Sequence, residues 1–125
     1  MKTIFKPQTE WIPPTDFPDL GKYDEIAIDL ETKDPNLNKR MGSGSVVGVG
    51  DVVGISLATH DWCAYYPIAH EGGGNMDRKM VLKWLQDQLN TPATKIFHNA
   101  MYDVCWLRSL GIKINGQIVD TMIAA

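Results

Sequence analysis

Cysteine is scarce: Cys63 and Cys105 are the two in 125 residues. They are not spaced as a Cys-x-x-Cys pair, and two cysteines make no disulfide framework. A reduced, cytosolic setting is the simple expectation. Long apolar runs are missing as well. No stretch approaches the roughly 20 apolar residues that span a bilayer. The opening stretch, MKTIFKPQTEWIPP, lacks the apolar run of a signal peptide. An excess of positive charge is also absent. Twelve Lys and Arg against 15 Asp and Glu leave a net charge of −3. That argues against a broad basic face gripping duplex DNA. It does not exclude a site whose acids are neutralised by bound metal ions. What is present is ample apolar material, 44% of residues, with 22% charged. Such a chain folds around a real core, as one ordinary domain or part of a larger one.

Residues 1–21 read as an extended arm, because Pro7, Pro13, Pro14 and Pro18 break any helix. Residues 25–32, EIAIDLET, read as a strand with Ile26 and Ile28 on one face and Ala27, Asp29 and Glu31 on the other. A glycine-bearing loop follows over 33–51. Its spacing resembles a phosphate-binding loop only superficially, since no Gly-Lys-Ser/Thr follows and no helix opens there. Residues 52–69 read as two strands around a tight turn at His60-Asp61. A helix over 76–90 is expected from Met76, Met80, Val81, Trp84, Leu85 and Leu89, with Asn75 as its N-cap. A strand at 94–97, a helix at 100–110 stopped by Gly111, a strand at 117–120 and the start of a last helix complete the order. A three-strand meander followed by alternating helix and strand implies a mixed α/β sheet with helices packed on it. The chain ends inside its last helical pattern, so a fragment is expected.

Asp29 and Glu31 share a strand face roughly 6.6 Å apart along the chain. Like charges that close repel, and acids are costly to bury unpaired. A hard cation resolves both problems, which points to Mg²⁺ or Mn²⁺. The plainer reading is a strand end where both acids reach water, held by Lys33 or Lys39. Asp103 has Asn99, Ala100, Trp106 and Leu107 as its helical neighbours, a largely apolar face for an acid. Its plainer reading is a first-turn acid stabilised by the helix dipole, with Asn99 as the N-cap. Together the three acids gain weight. Convergent carboxylates can hold two metal ions about 4 Å apart and support in-line attack of water on a phosphodiester.

The segments IAIDLET and HNAMYD resemble the Asp-x-Glu and Asn-x-x-x-Asp motifs of the DEDD 3′–5′ exonucleases. IVDTMIAA resembles the segment that follows the second motif in the proofreading domains of family A DNA polymerases. YYPIAHEGGGN and DLETKDPNL are similar to phage members of that group. The resemblance covers about residues 24–125. It implies a ribonuclease H-like fold in residues 22–125, incomplete at the C-terminus. It also implies two Mg²⁺ or Mn²⁺ ions, a DNA 3′ end as partner, and a polymerase domain in the same or a companion chain. Asp29 would bridge both metals. Glu31 would bind one and touch the terminal 3′ hydroxyl, and Asp103 would serve the second. Thr32 and Asn99 would hold the terminal nucleotide, with Leu37 near the terminal bases. The cytoplasm of a bacterial or phage-infected cell follows as the location.

The family's third motif, Tyr-x-x-x-Asp or His-x-x-x-x-Asp, has no counterpart in these residues. Asp120, the only acid after Asp103, is expected to cap the final helix. Weak activity, or none, is therefore expected of these residues alone. A non-catalytic module of the same fold, binding nucleic acid or a partner chain, is the rival reading. His60, His70 and His98 are expected in structural or surface roles rather than at a zinc site. Trp62, Trp84 and Trp106 are expected in the core. Trp11 would pack back from the arm. Lys22, Lys33, Lys39 and Arg40 are either solvated or phosphate contacts.

Overall fold

Alternation of apolar and polar side chains makes the first strand two-faced, and burial decides which face points inward. In the computed structural model, which describes residues 14, 16–35, 44 and 49–124, this strand is β1 (Glu25–Lys33). Ile26, Ile28 and Leu30 are buried, whereas Asp29 and Glu31 are exposed. Each buried branched side chain contributes about 1.5–3 kcal/mol. A one-residue slip would exchange those three for the two acids, so the register is strongly specified.

β2 (Asp51–Thr59) and β3 (Trp62–Pro67) form the expected hairpin around His60-Asp61. Then come α1 (Arg78–Leu89), β4 (Thr94–Phe97), α2 (Ala100–Ser109), β5 (Ile118–Asp120) and α3 (Thr121–Ala124). The sheet order is β3-β2-β1-β4-β5. β1 is therefore central, antiparallel to β2 and parallel to β4. A mixed sheet with flanking helices is the expected architecture.

The helix α1 starts later than its apolar period suggests. Asp77, not Asn75, is the N-cap, accepting from the amides of Lys79 and Met80 at 3.0 and 3.2 Å. Asn75 is engaged elsewhere. Its Oδ1 accepts from the His70 amide at 2.7 Å, and its Nδ2 donates to the His70 carbonyl at 2.9 Å. With the start moved, Met76 precedes the helix and Met80 is exposed, while Val81, Trp84, Leu85 and Leu89 are buried. α2 ends as expected, with Gly111 at φ 82°, a left-handed position that suits glycine.

The segment before β1 packs on α1. Trp84 Nε1 donates to the Pro18 carbonyl at 2.8 Å, and the Leu20 amide donates to Gln88 Oε1 at 2.7 Å. Phe17 stacks on Tyr66 at 5.5 Å between ring centres. Trp84 and Trp106 are core residues, and Trp62 packs against that core and meets Trp84 edge-on. Most of the arm, with Trp11, and also Leu37, Lys39 and Arg40, lie outside the described residues. Among the described residues no helix is long and apolar enough to cross a membrane.

Candidate metal centre

The exposed face of β1 is where its acids stand. In register, Asp29 faces Ser56 and Glu31 faces Gly54 on β2. Asp29 borders a cavity of about 380 Å³ on that face, with Ala27, Ser56, Ala58, Ile96 and His98 among its lining. The central strand thus delivers Asp29 to a concave, largely apolar surface.

The second helix delivers the third acid. Ala100, Asp103, Trp106 and Leu107 form the buried face of α2, so Asp103 is only 4% exposed. Its carboxyl is pushed up to about 7, first by burial and then by the charge of Asp29. The backbone of Leu30 hydrogen-bonds the carboxyl and pulls the other way. Its Oδ2 has no hydrogen-bond partner among the described residues. An ionised, buried carboxylate with an orphaned oxygen is costly unless a cation or proton meets it. Asp103, with the charge of Asp29 beside it and no ion pair among the described residues, offers hard oxygen donors whose chemistry fits Mg²⁺ or Mn²⁺. A helix-dipole role alone leaves the orphaned oxygen unexplained.

Asn99 stands at the N-cap position of α2 in a left-handed conformation, φ 70°, and its side chain makes no capping bond. Asn tolerates that conformation better than most residues. The capping comes from Asp120. Its two carboxylate oxygens accept from the amides of Asn99 and Ala100, both at 2.9 Å. Asp120 Oδ1 also accepts from the Met122 amide at 3.0 Å, which is the expected cap of the last helix. These amides, led by that of Ala100, hold the Asp120 carboxyl below the usual range.

Glu31 is held from one side. Its Oε1 accepts from Tyr65 Oη at 2.7 Å and lies 3.9 Å from His70 Nε2. Among the described residues no group of three His, Cys, Asp or Glu side chains converges tightly enough to hold a metal ion. Asp29 acts on Asp103 through its charge, while Glu31 is engaged by Tyr65. Lys33 pairs with Glu71, so it does not hold the two acids. Thr32 Oγ1 shares a hydrogen bond with Tyr102 Oη at 2.8 Å, and Tyr102 Oη donates to Asp34 Oδ2 at 2.9 Å. His60 is exposed and His98 bonds Thr121 Oγ1 at 3.0 Å, so the histidines do not cluster. Tyr65, His70 and Tyr102 had not been singled out for the site. Tyr65 lies 34 residues from Glu31 and His70 39 residues away. Both lie in YYPIAHEGGGN, a segment that carries the family resemblance, and Tyr65 shares a cross-strand row with Asp29 through Ser56.

No family model matches the chain. The chain is 34% identical to a DNA-directed DNA polymerase of Pseudomonas phage M6, over 92% of its own length and 19% of the phage protein. It is 38% identical to DNA polymerase I of Chloroflexus aurantiacus, over 60% of its length and 8% of that protein. The chain thus spans a fifth or less of the curated relatives it matches. Among solved structures, NrnC of Brucella melitensis superposes with a TM-score of 0.51 at 21% identity. That match covers 86% of this chain and 46% of NrnC. The EXO domain of Nibbler from Aedes aegypti gives 0.56 at 16% identity, over 84% and 46% of the two chains. At these identities the structures speak for the fold. The relatives are DNA polymerases, and the solved structures share the mixed sheet with flanking helices that the resemblance implies.

Proposed function

We propose that residues 22–125 belong to a 3′–5′ exonuclease domain of a phage-type family A DNA polymerase, with weak activity or none from these residues alone. The domain would remove 3′-terminal nucleotides from single-stranded or frayed DNA, beside a polymerase domain in the same or a companion chain. The observation that carries this reading is the orphaned, buried Asp103 carboxylate set against Asp29. NrnC with bound Mg²⁺ is among the similar structures, with a TM-score of 0.51 at 22% identity over 86% of this chain and 47% of that one. Its fold supports the choice of a divalent ion.

Asp29, Glu31 and Asp103 would hold Mg²⁺ or Mn²⁺, two ions in the working site. When bound, such ions stabilise charge on the phosphodiester oxygens and make water a better nucleophile at neutral pH. The protein's own part is placement. β1 holds Asp29 in the centre of a five-stranded sheet. Burial keeps Asp103 away from bulk water, which strengthens its interaction with any cation. Glu31 would accept from the terminal 3′ hydroxyl. Thr32, at the end of β1, and Asn99, whose exposed side chain is not used in capping, would hold the terminal nucleotide with Leu37. The cytoplasm of a bacterial or phage-infected cell is the proposed setting.

The test is end recognition. A 5′-labelled single-stranded oligonucleotide ending in a 3′ hydroxyl should bind more tightly in Mg²⁺ than its 3′-phosphorylated twin. One hydrogen bond of about 1 kcal/mol corresponds to about fivefold. The preference should vanish in Glu31→Ala. Binding that ignores both the end and the metal would instead identify a nucleic-acid-binding module without chemistry.

A further inference from the structure

A glutamate on the open face of a strand normally samples several rotamers. Glu31 is 60% exposed, yet two side chains from elsewhere in the chain meet it. Tyr65 stands on β3, with β2 between it and β1. Its ring crosses β2 by lying over Gly54, where a Cβ would come within 1.8 Å of the phenol oxygen. Glycine at 54 is therefore what lets the phenol reach Glu31. Tyr65 Oη also meets His70 Nε2. With the Nε2 proton on His70, the two form one directional chain, from imidazole N–H to phenol and from phenol O–H to carboxylate.

His70 is itself held. It opens a loop closed on both sides by Asn75 and pinned by the Met76 amide on the Pro67 carbonyl at 2.8 Å. Glu71, the next residue, pairs with Lys33 at the end of β1. The loop is thus fastened to the strand that carries the acids. Both contacts to Glu31 fall on Oε1, and Oε2 is engaged by neither.

We infer that Tyr65 and His70 are positioning residues for Glu31, fixing one carboxylate oxygen so that the other is oriented for a divalent ion. This rests on the proposed metal role of Asp29 and Glu31. Partners that orient metal ligands typically change affinity by about 10–100-fold when removed.

The measurement is Mn²⁺ binding to the 125-residue chain, read by electron paramagnetic resonance of the free ion, beside melting in chelator. Tyr65→Phe and His70→Ala should each weaken Mn²⁺ binding about tenfold, with metal-free melting near wild type. His70→Gln restores a side-chain N–H and should recover most of the loss. If Asp29→Ala abolishes binding while Tyr65→Phe and His70→Ala bind like wild type, the positioning role is overturned and the metal site stands. If Asp29→Ala also binds like wild type, the metal site falls and the positioning role with it. Should Tyr65→Phe fail to fold, His70→Ala and His70→Gln decide the matter on the loop alone.

Discussion

Asp103 is an acid whose surroundings work against its charge. Its ordinary value is 3.8 and its folded value about 7, from burial and from Asp29. The metal-free folded state therefore holds a proton on Asp103 more tightly than the unfolded chain does. Stability from this residue is fully present below about pH 4 and is lost as the pH rises through 7. In chelator, wild type should lose about 2–4 kcal/mol over that range relative to Asp103→Asn. Urea melts of the two proteins at pH 4 and pH 8 measure this. Parallel pH profiles would show that Asp103 carries no such load. Its place was legible in the sequence because Ala100, Trp106 and Leu107 lie one helical turn away on either side. The parity of Asp29 and Glu31 was legible for the matching reason on a strand. The hold on Glu31 was not, because it depends on a phenol reaching across β2 over Gly54.

At the scale of the element, the start of α2 decides where Asp103 lies. Asn99 was read as its cap, but the capping oxygens belong to Asp120, 21 residues further on. Local patterns reveal a candidate cap only when cap and helix adjoin in sequence, and here they adjoin through the parallel pairing of β4 with β5. Asp77 and Asn75 illustrate the opposite difficulty. Both suit the start of α1 and they stand two residues apart. The loop that Asn75 closes with His70 removes it from the choice. Removing a cap costs about 1 kcal/mol, up to about 2. Asp77→Ala and Asp120→Ala should both melt at a lower temperature than wild type. Only Asp120→Ala should also reduce stabilisation by Mn²⁺, because it loosens the turn that leads into Asp103. Equal metal responses in the two variants would separate α2 capping from the site.

Across the whole molecule, one strand does two jobs. β1 puts Ile26, Ile28 and Leu30 into the single core and presents Asp29 and Glu31 on the opposite face. Its central place follows from a meander that adds β2 and β3 on one side while the crossovers add β4 and β5 on the other. That order was legible in the alternation of elements, and the likeness to solved structures of the same fold agrees with it. The central claim is a divalent-ion site built on this strand. Thermal melting of wild type and Asp29→Ala with and without Mn²⁺ tests it most directly. A ligand at a hundred times its Kd stabilises a fold by about 2.7 kcal/mol. Wild type should therefore melt several degrees higher in Mn²⁺, and Asp29→Ala should gain much less. Equal shifts in the two proteins would contradict a metal site at Asp29.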